Sequence, residues 1–256
     1  MSKVTYEVRD RVAEILLDSP PVNALDEGMI DALLTALNRA AQDDGVRAVI
    51  LGSAVSRRFC AGMQLDALHS APPARSYAAV DKLYNGLCDA QFHLGKPSIA
   101  AVSGTARGGG MTLAIHCDMI VAAETATFGY PEIDVGLTPA IHYTHLPRIV
   151  GRHRAFDLLF TGRTFGAEEA MSLGLVSRVV PETNVMEEAR TLAQTLCSKS
   201  PVVMRMGRMA FLRANDSDYR RGVASAVESF GNVAATDDSK EGIAAFVEKR
   251  KPYWQE

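Results

Sequence analysis

Two kinds of apolar spacing run along this chain, and one of them stops near Val180. Short apolar runs of strand length, Arg47 to Leu51, Ile99 to Val102, Met119 to Ala122 and Leu175 to Val180, alternate with stretches whose apolar residues recur every three or four positions. Beyond Pro201 only helical spacing remains, through Val203, Met206 and Ala210, then Val223, Val227 and Phe230, then Ile243, Phe246 and Val247. Alternation of strand, loop and helix demands a partly parallel sheet with helices packed on it, so the fold class is α/β. With 47% hydrophobic and 22% charged residues in 256, the chain can bury a full core. The division predicts a core over residues 1–198 and a helical module over 199–256.

Local signals add detail. Val4 to Val8 and Val12 to Leu17 read as a hairpin turning at Arg9-Asp10. Asn23 or Asp26 can cap a helix carrying Ile30, Leu33, Leu34 and Leu37 and ending near Asp43. Further helices are predicted around Tyr77 to Phe92, Met111 to His116, Arg152 to Phe160 and Ala167 to Leu173. The 27 Lys and Arg against 30 Asp and Glu leave a formal charge of −3, without the basic excess that a phosphate-tracking surface needs, so nucleic acid is excluded as the main partner. No uncharged apolar stretch approaches the roughly 20 residues of a membrane helix. The four cysteines lack C-x-x-C spacing, which points away from a zinc site or disulfide framework and toward a reducing, cytoplasmic setting.

Gly108-Gly109-Gly110 lies between a strand and a helix, where bare main-chain N–H groups can approach an anion closely. Met111-Thr112 follows instead of the Lys-Ser or Lys-Thr of a phosphate loop, and Leu113 occupies the place of a dinucleotide fingerprint's third small residue. The triplet alone is equally consistent with tight helix–strand packing. A second small-residue bend, Phe59-Cys60-Ala61-Gly62-Met63-Gln64-Leu65, also follows a strand. Two such bends facing each other supply the paired donors of an oxyanion hole, each worth about 3 kcal/mol toward a developing enolate.

These segments resemble the crotonase (enoyl-CoA hydratase/isomerase) superfamily. Phe59 to Leu65 is similar to its F-x-A-G-x-D-L loop, with Gln64 in place of Asp. Ser103 to Gly110 is similar to N-G-x-x-x-G-G-G, and Phe128 to Pro139 to F-G-x-P-E-x-x-x-G-x-x-P. Leu146-Pro147-Arg148, Glu169 to Val179 and Glu241-Gly242 to Pro252 extend the likeness in the family's order along nearly the whole chain. The resemblance implies a spiral of repeated strand-strand-helix units, acyl-CoA thioester substrates, and a C-terminal helical region that forms trimers and usually hexamers. Coenzyme A is then part of the substrate, with no separate cofactor and no metal. It also implies oxyanion donors at Met63 and Gly109, with Ala61, Gly62, Gln64, Leu65, Gly108 and Tyr130 lining the substrate.

The family's hydratases carry acid–base groups at two positions, which here are Thr112 and Glu132. A threonine hydroxyl holds its proton too tightly to act as a base near neutral pH, so Glu132 is left alone unless His142 or His145 assists. Phe128 and Tyr130 are apolar neighbours able to raise its pKa. A lone carboxylate suffices to move a double bond, taking a proton from C2 and returning it at C4, whereas hydration normally divides its work between two groups. The sequence therefore favours enoyl-CoA isomerisation, with enoyl-CoA hydration and a non-catalytic acyl-CoA-binding role as alternatives. Arg57, Arg58, Lys249 and Lys251 are candidates for the coenzyme's phosphates.

Overall fold

The strand-length runs assemble into one six-stranded sheet in a computed structural model that describes residues 3–66, 72–215 and 218–254. Strands β1 (Val4–Arg9) and β2 (Val12–Leu17) form the antiparallel hairpin, with Asp10 and Arg11 at positive φ in its turn. After the short β3 (Ala24–Leu25), β4 (Ala48–Ser53) lies parallel to β2. The chain then leaves the sheet as β5 (Arg58–Cys60) and β6 (Gly62–Met63), and returns as β7 (Ser98–Val102), parallel to β4. It leaves again as β8 (Thr105–Arg107), returns as β9 (Met119–Ala123), leaves as β10 (Thr127–Gly129) and β11 (Phe165–Gly166), and closes the row as β12 (Arg178–Val180). The departing strands form a second sheet, β11-β10-β8-β5, while β3 pairs with β6.

The circuits that begin at β4, β7 and β9 each add one strand to the six-stranded sheet and one to the four-stranded sheet before a helix or helical turn, the strand-strand-helix spiral that the resemblance implies. The central strands β4, β7 and β9 are buried almost throughout, because helices cover both faces of a parallel sheet. Helix α1 (Glu27–Gln42) buries Met29, Ile30, Leu33 and Leu37 on one face, and of the two possible caps it is Asp26 whose carboxylate accepts from the Met29 amide, at 2.9 Å.

The second helical stretch begins earlier than its apolar spacing predicts. It runs as α2 (Pro73–Asp81) through a wide turn, Lys82–Gly86, into α3 (Leu87–His93). Helix α4 (Gly109–Ile115) starts inside the glycine triplet, two residues before the predicted Met111. Beyond β10 come a 3-10 turn, Pro131–Val135, then α5 (Ala140–Val150), α6 (Arg152–Thr161) and α7 (Ala167–Ser172). The strand predicted from Leu175 is shorter than expected. Leu175 and Val176 are apolar because they are buried, but their amides bond to the Ala170 carbonyl and close the preceding helix, so pairing starts only at Arg178.

Helix α8 (Val185–Cys197) packs on the sheet, and three helices follow it: α9 (Pro201–Asn215), α10 (Tyr219–Ala234) and α11 (Asp237–Val247). A part-buried ion pair ties α9 to the core. Asp118 accepts from the amide and hydroxyl of Ser98 and from Nε of Arg208, at 2.8, 3.0 and 2.8 Å, while Arg208 also donates to the Gln91 carbonyl at 2.9 Å. Asp118 is therefore structural. None of the helices among the described residues is long and apolar enough to cross a membrane.

Candidate active site

The first bend is held open by β6. Its Ala61 and Gln64 amides bond to the Val22 and Leu25 carbonyls, at 3.1 and 2.8 Å. Successive strand N–H groups point to opposite sides, so the Met63 amide, next to Gln64, faces away from Leu25. Gly62 sits at φ +95°, and a Cβ there would lie 3.0 Å from the Arg107 carbonyl and 3.3 Å from the Gly109 nitrogen. The two bends predicted from the sequence are therefore in direct contact.

The second bend belongs to the start of α4. Its first intrahelical bond is Thr112 N–H to the Gly108 carbonyl, at 3.1 Å, which leaves the Gly109 N–H without a helical acceptor. Gly108 adopts φ +49° and ψ −116°, a conformation open only to glycine, and it has a second reason to lack a side chain. A Cβ at this position would stand 3.0 Å from Oε1 of Glu132. The carboxyl group thus rests on the same turn that carries Gly109.

Glu132 lies in the 3-10 turn after Tyr130. The residue is half-buried, but Oε2 is buried and has no hydrogen-bond partner among the described residues. Burial pushes its pKa up to about 7, opposed by its own main-chain N–H. The phenols of Tyr84, Tyr130 and Tyr143 feel its charge, which together with burial raises all three pKa values. Tyr84 and Tyr143 were invisible as neighbours of Glu132 in the sequence, since helical spacing marks Tyr84 only as inward-facing.

Thr112, at the first of the two acid–base positions that the resemblance implies, is buried, and its hydroxyl lies 3.4 Å from Nε2 of His142. His142 is fully buried, its ring centroid 4.5 Å from that of Tyr130, with the Gly108 carbonyl beside it. Burial holds its pKa well below the usual imidazole range, and burial likewise lowers His116 to about 4 and His145 to about 3. All three imidazoles are neutral at pH 7.

The structure brings Glu132, Met63, Gly109, Gly62, Gly108, Thr112, Tyr130 and His142 together. His145 is directed instead at α10, edge-on to Tyr219 at 6.2 Å. The Ala61 and Gln64 amides are taken up by strand pairing, and Leu65 packs half-buried against the core. Tyr130 is completely buried and backs the site with its ring against His142. Of the cations considered for phosphate contact, Arg57 faces Glu182 at 3.4 Å, and Arg58, Lys249 and Lys251 are exposed. No group of three or more His, Cys, Asp or Glu among the described residues could hold a metal ion.

The profile of the enoyl-CoA hydratase/isomerase family matches residues 7–256. A probable enoyl-CoA hydratase of Mycobacterium bovis is 38% identical over 257 aligned residues, covering 97% of this chain and 98% of that protein. A crotonyl-CoA hydratase of Syntrophomonas wolfei is 34% identical over 97% of this chain and 96% of its own length. Among solved structures, the carnitinyl-CoA hydratase of Mycobacterium avium superposes with a TM-score of 0.88 at 31% identity, covering 100% of this chain and 99% of the other. The enoyl-CoA hydratase of Bacillus anthracis gives 0.80 at 31% identity, with 98% of each chain covered. With its spiral, its touching bends and its buried glutamate in place, this chain belongs to the enoyl-CoA hydratase/isomerase family of enzymes.

Proposed function

We propose that the protein moves the double bond of a 3-enoyl-CoA to the 2-position, with Glu132 as the single proton carrier. The observation that carries this reading is a buried carboxyl group, poised near neutral pH at the Gly108 turn, with Thr112 in place of a second acid. The substrate's thioester oxygen is held by the Met63 and Gly109 amides. Ionised Glu132 removes a proton from C2, and the electron pair moves onto the thioester oxygen as a dienolate. The two amides stabilise that charge, each contributing about 3 kcal/mol. The carboxylic acid so formed returns its proton at C4, and the double bond ends between C2 and C3. Atoms and charge balance without water or a cofactor, and the neutral imidazoles leave Glu132 as the ionisable group at the turn.

Hydration of a 2-enoyl-CoA is the second reading, favoured by the names of the relatives. In that case Thr112 would hold the water and Glu132 would serve both proton steps. Parallel assays with 3-enoyl-CoA and 2-enoyl-CoA, followed by mass, separate the two: isomerisation leaves the mass unchanged, and addition of water raises it. Glu132→Gln is expected to lower turnover by about 10²–10⁴-fold while CoA-ester binding persists. A rate close to that of the unaltered enzyme would remove Glu132 from the chemistry. Rapid water addition to the 2-enoyl thioester would replace isomerisation by hydration.

A further inference from the structure

Buried polar atoms without protein partners gather around Glu132. Besides Oε2 of Glu132, these are the Tyr130 hydroxyl and Nδ1 of His142, with Nε2 of His116 behind Thr112. Each such group costs about 1–3 kcal/mol when nothing serves it. Glu132 is accounted for by proton transfer, but Tyr130 and His142 are not. Their rings touch, 4.5 Å apart, and His142 reaches Thr112 through its other nitrogen only by a long 3.4 Å contact. Thr112 belongs to the helix that Gly109 opens, and Tyr130 precedes Glu132 by two residues, so the Tyr130 hydroxyl belongs to the loop of Glu132, while His142 stands on α5 and meets the Gly109 helix at Thr112.

Charge narrows the choice of ligand. The shift at Glu132 has no contribution from Lys or Arg, and the nearby imidazoles are neutral. An acyl group ending in a carboxylate would meet the Glu132 charge with no cation to offset it. A plain alkyl chain would leave the Tyr130 hydroxyl and His142 Nδ1 unserved. We propose that the acyl group taken by this site carries an uncharged hydroxyl or keto oxygen close to the reacting carbons, hydrogen-bonded by Tyr130 and His142. This inference rests on the placement of the acyl chain at Glu132; an oxygen on C4 fits hydration of a 2-enoyl thioester, and isomerisation, which needs C4 in the double bond, places it beyond C4.

Calorimetric binding of saturated thioesters tests it without turnover. Levulinoyl-CoA and isocaproyl-CoA are near-isosteres in which a keto oxygen replaces a methyl group. Levulinoyl-CoA is expected to bind at least about tenfold more tightly, because the alkyl partner leaves buried polar groups unpaired. Tyr130→Phe removes a hydroxyl with no protein partner, so it should fold normally and should shrink that preference. His142→Gln, which keeps a donor and an acceptor, provides the same comparison should Tyr130→Phe not fold, with the preference expected to fall at least about threefold. Equal or tighter binding of isocaproyl-CoA by the unaltered protein overturns the proposal, and so does a preference that neither variant changes. Glutaryl-CoA is expected to bind more weakly than levulinoyl-CoA, and the reverse order would overturn the uncharged character. If Glu132→Gln leaves turnover intact while the keto preference holds, the assignment of Glu132 falls and the binding inference stands.

Discussion

Glu132 owes its elevated pKa to burial rather than to a charged neighbour, and that origin has two measurable consequences. The base must be ionised to take a proton, so kcat/KM for isomerisation should rise with pH through about 7 and level off above it. The second consequence concerns stability. The folded state holds a proton at Glu132 that the unfolded chain, with a pKa near 4.5, has already released, so folding stability falls as pH climbs from about 4.5 to about 7. Glu132→Gln escapes that loss and should be the more stable protein at pH 8, by on the order of 3 kcal/mol, with the gap closing below pH 5. Denaturant melts at the two pH values measure this, and a constant gap would contradict the raised pKa. Glu132 could be selected from the sequence because the P-E pair sat in a matched loop between apolar residues. Its unpartnered Oε2, and the phenols of Tyr84 and Tyr143 near it, could not, since Tyr84 approaches from the wide turn Lys82–Gly86 and Tyr143 from α5.

Elements position that carboxyl group through main-chain contacts that no periodicity reveals. Helix α11 lies on the turn bearing Glu132 with glycines on both sides of the contact. A Cβ on Gly242 would stand 2.4 Å from the Val135 carbonyl oxygen, and one on Gly136 would stand 2.7 Å from that of Asp238. Backbone on backbone cannot yield as a flexible side chain can. Gly242→Ala is therefore expected to cost about 1–3 kcal/mol of stability and to lower kcat by displacing the turn. Gly207→Ala on α9, where nothing lies within 4 Å, should leave both unchanged or add stability. Thermal melts and initial rates of the pair decide it. The sequence marked Gly242 only as part of a family-like segment, and its contact with Val135 joins positions far apart in the chain. Helix starts were misplaced for a related reason: Gly109 and Gly110 carry no apolar side chain to mark the first turn of α4.

At the scale of the whole molecule, the alternation of strand-length runs with helical spacing was sufficient to predict a partly parallel sheet. The splitting of successive strands between two sheets was not legible in that pattern, because β5, β8 and β10 are only three residues long. The helices after Pro201 leave Val203, Met206 and Phe211 more than 60% exposed on α9, an apolar surface suited to self-association. Assembly as a trimer or a hexamer is the expectation, so light scattering should give about three or six times 27.6 kDa, and charged replacements at Met206 and Phe211 should lower that mass. The clasp between Asp118 and Arg208 sets a limit on any redesign of this region. A chain severed before Pro201 would strand a carboxylate beside Ser98, at the foot of the central strands, without the guanidinium that neutralises it. The late helices are thus electrically part of the sheet they follow, and trimming them would undermine the platform on which the glycine turn is built.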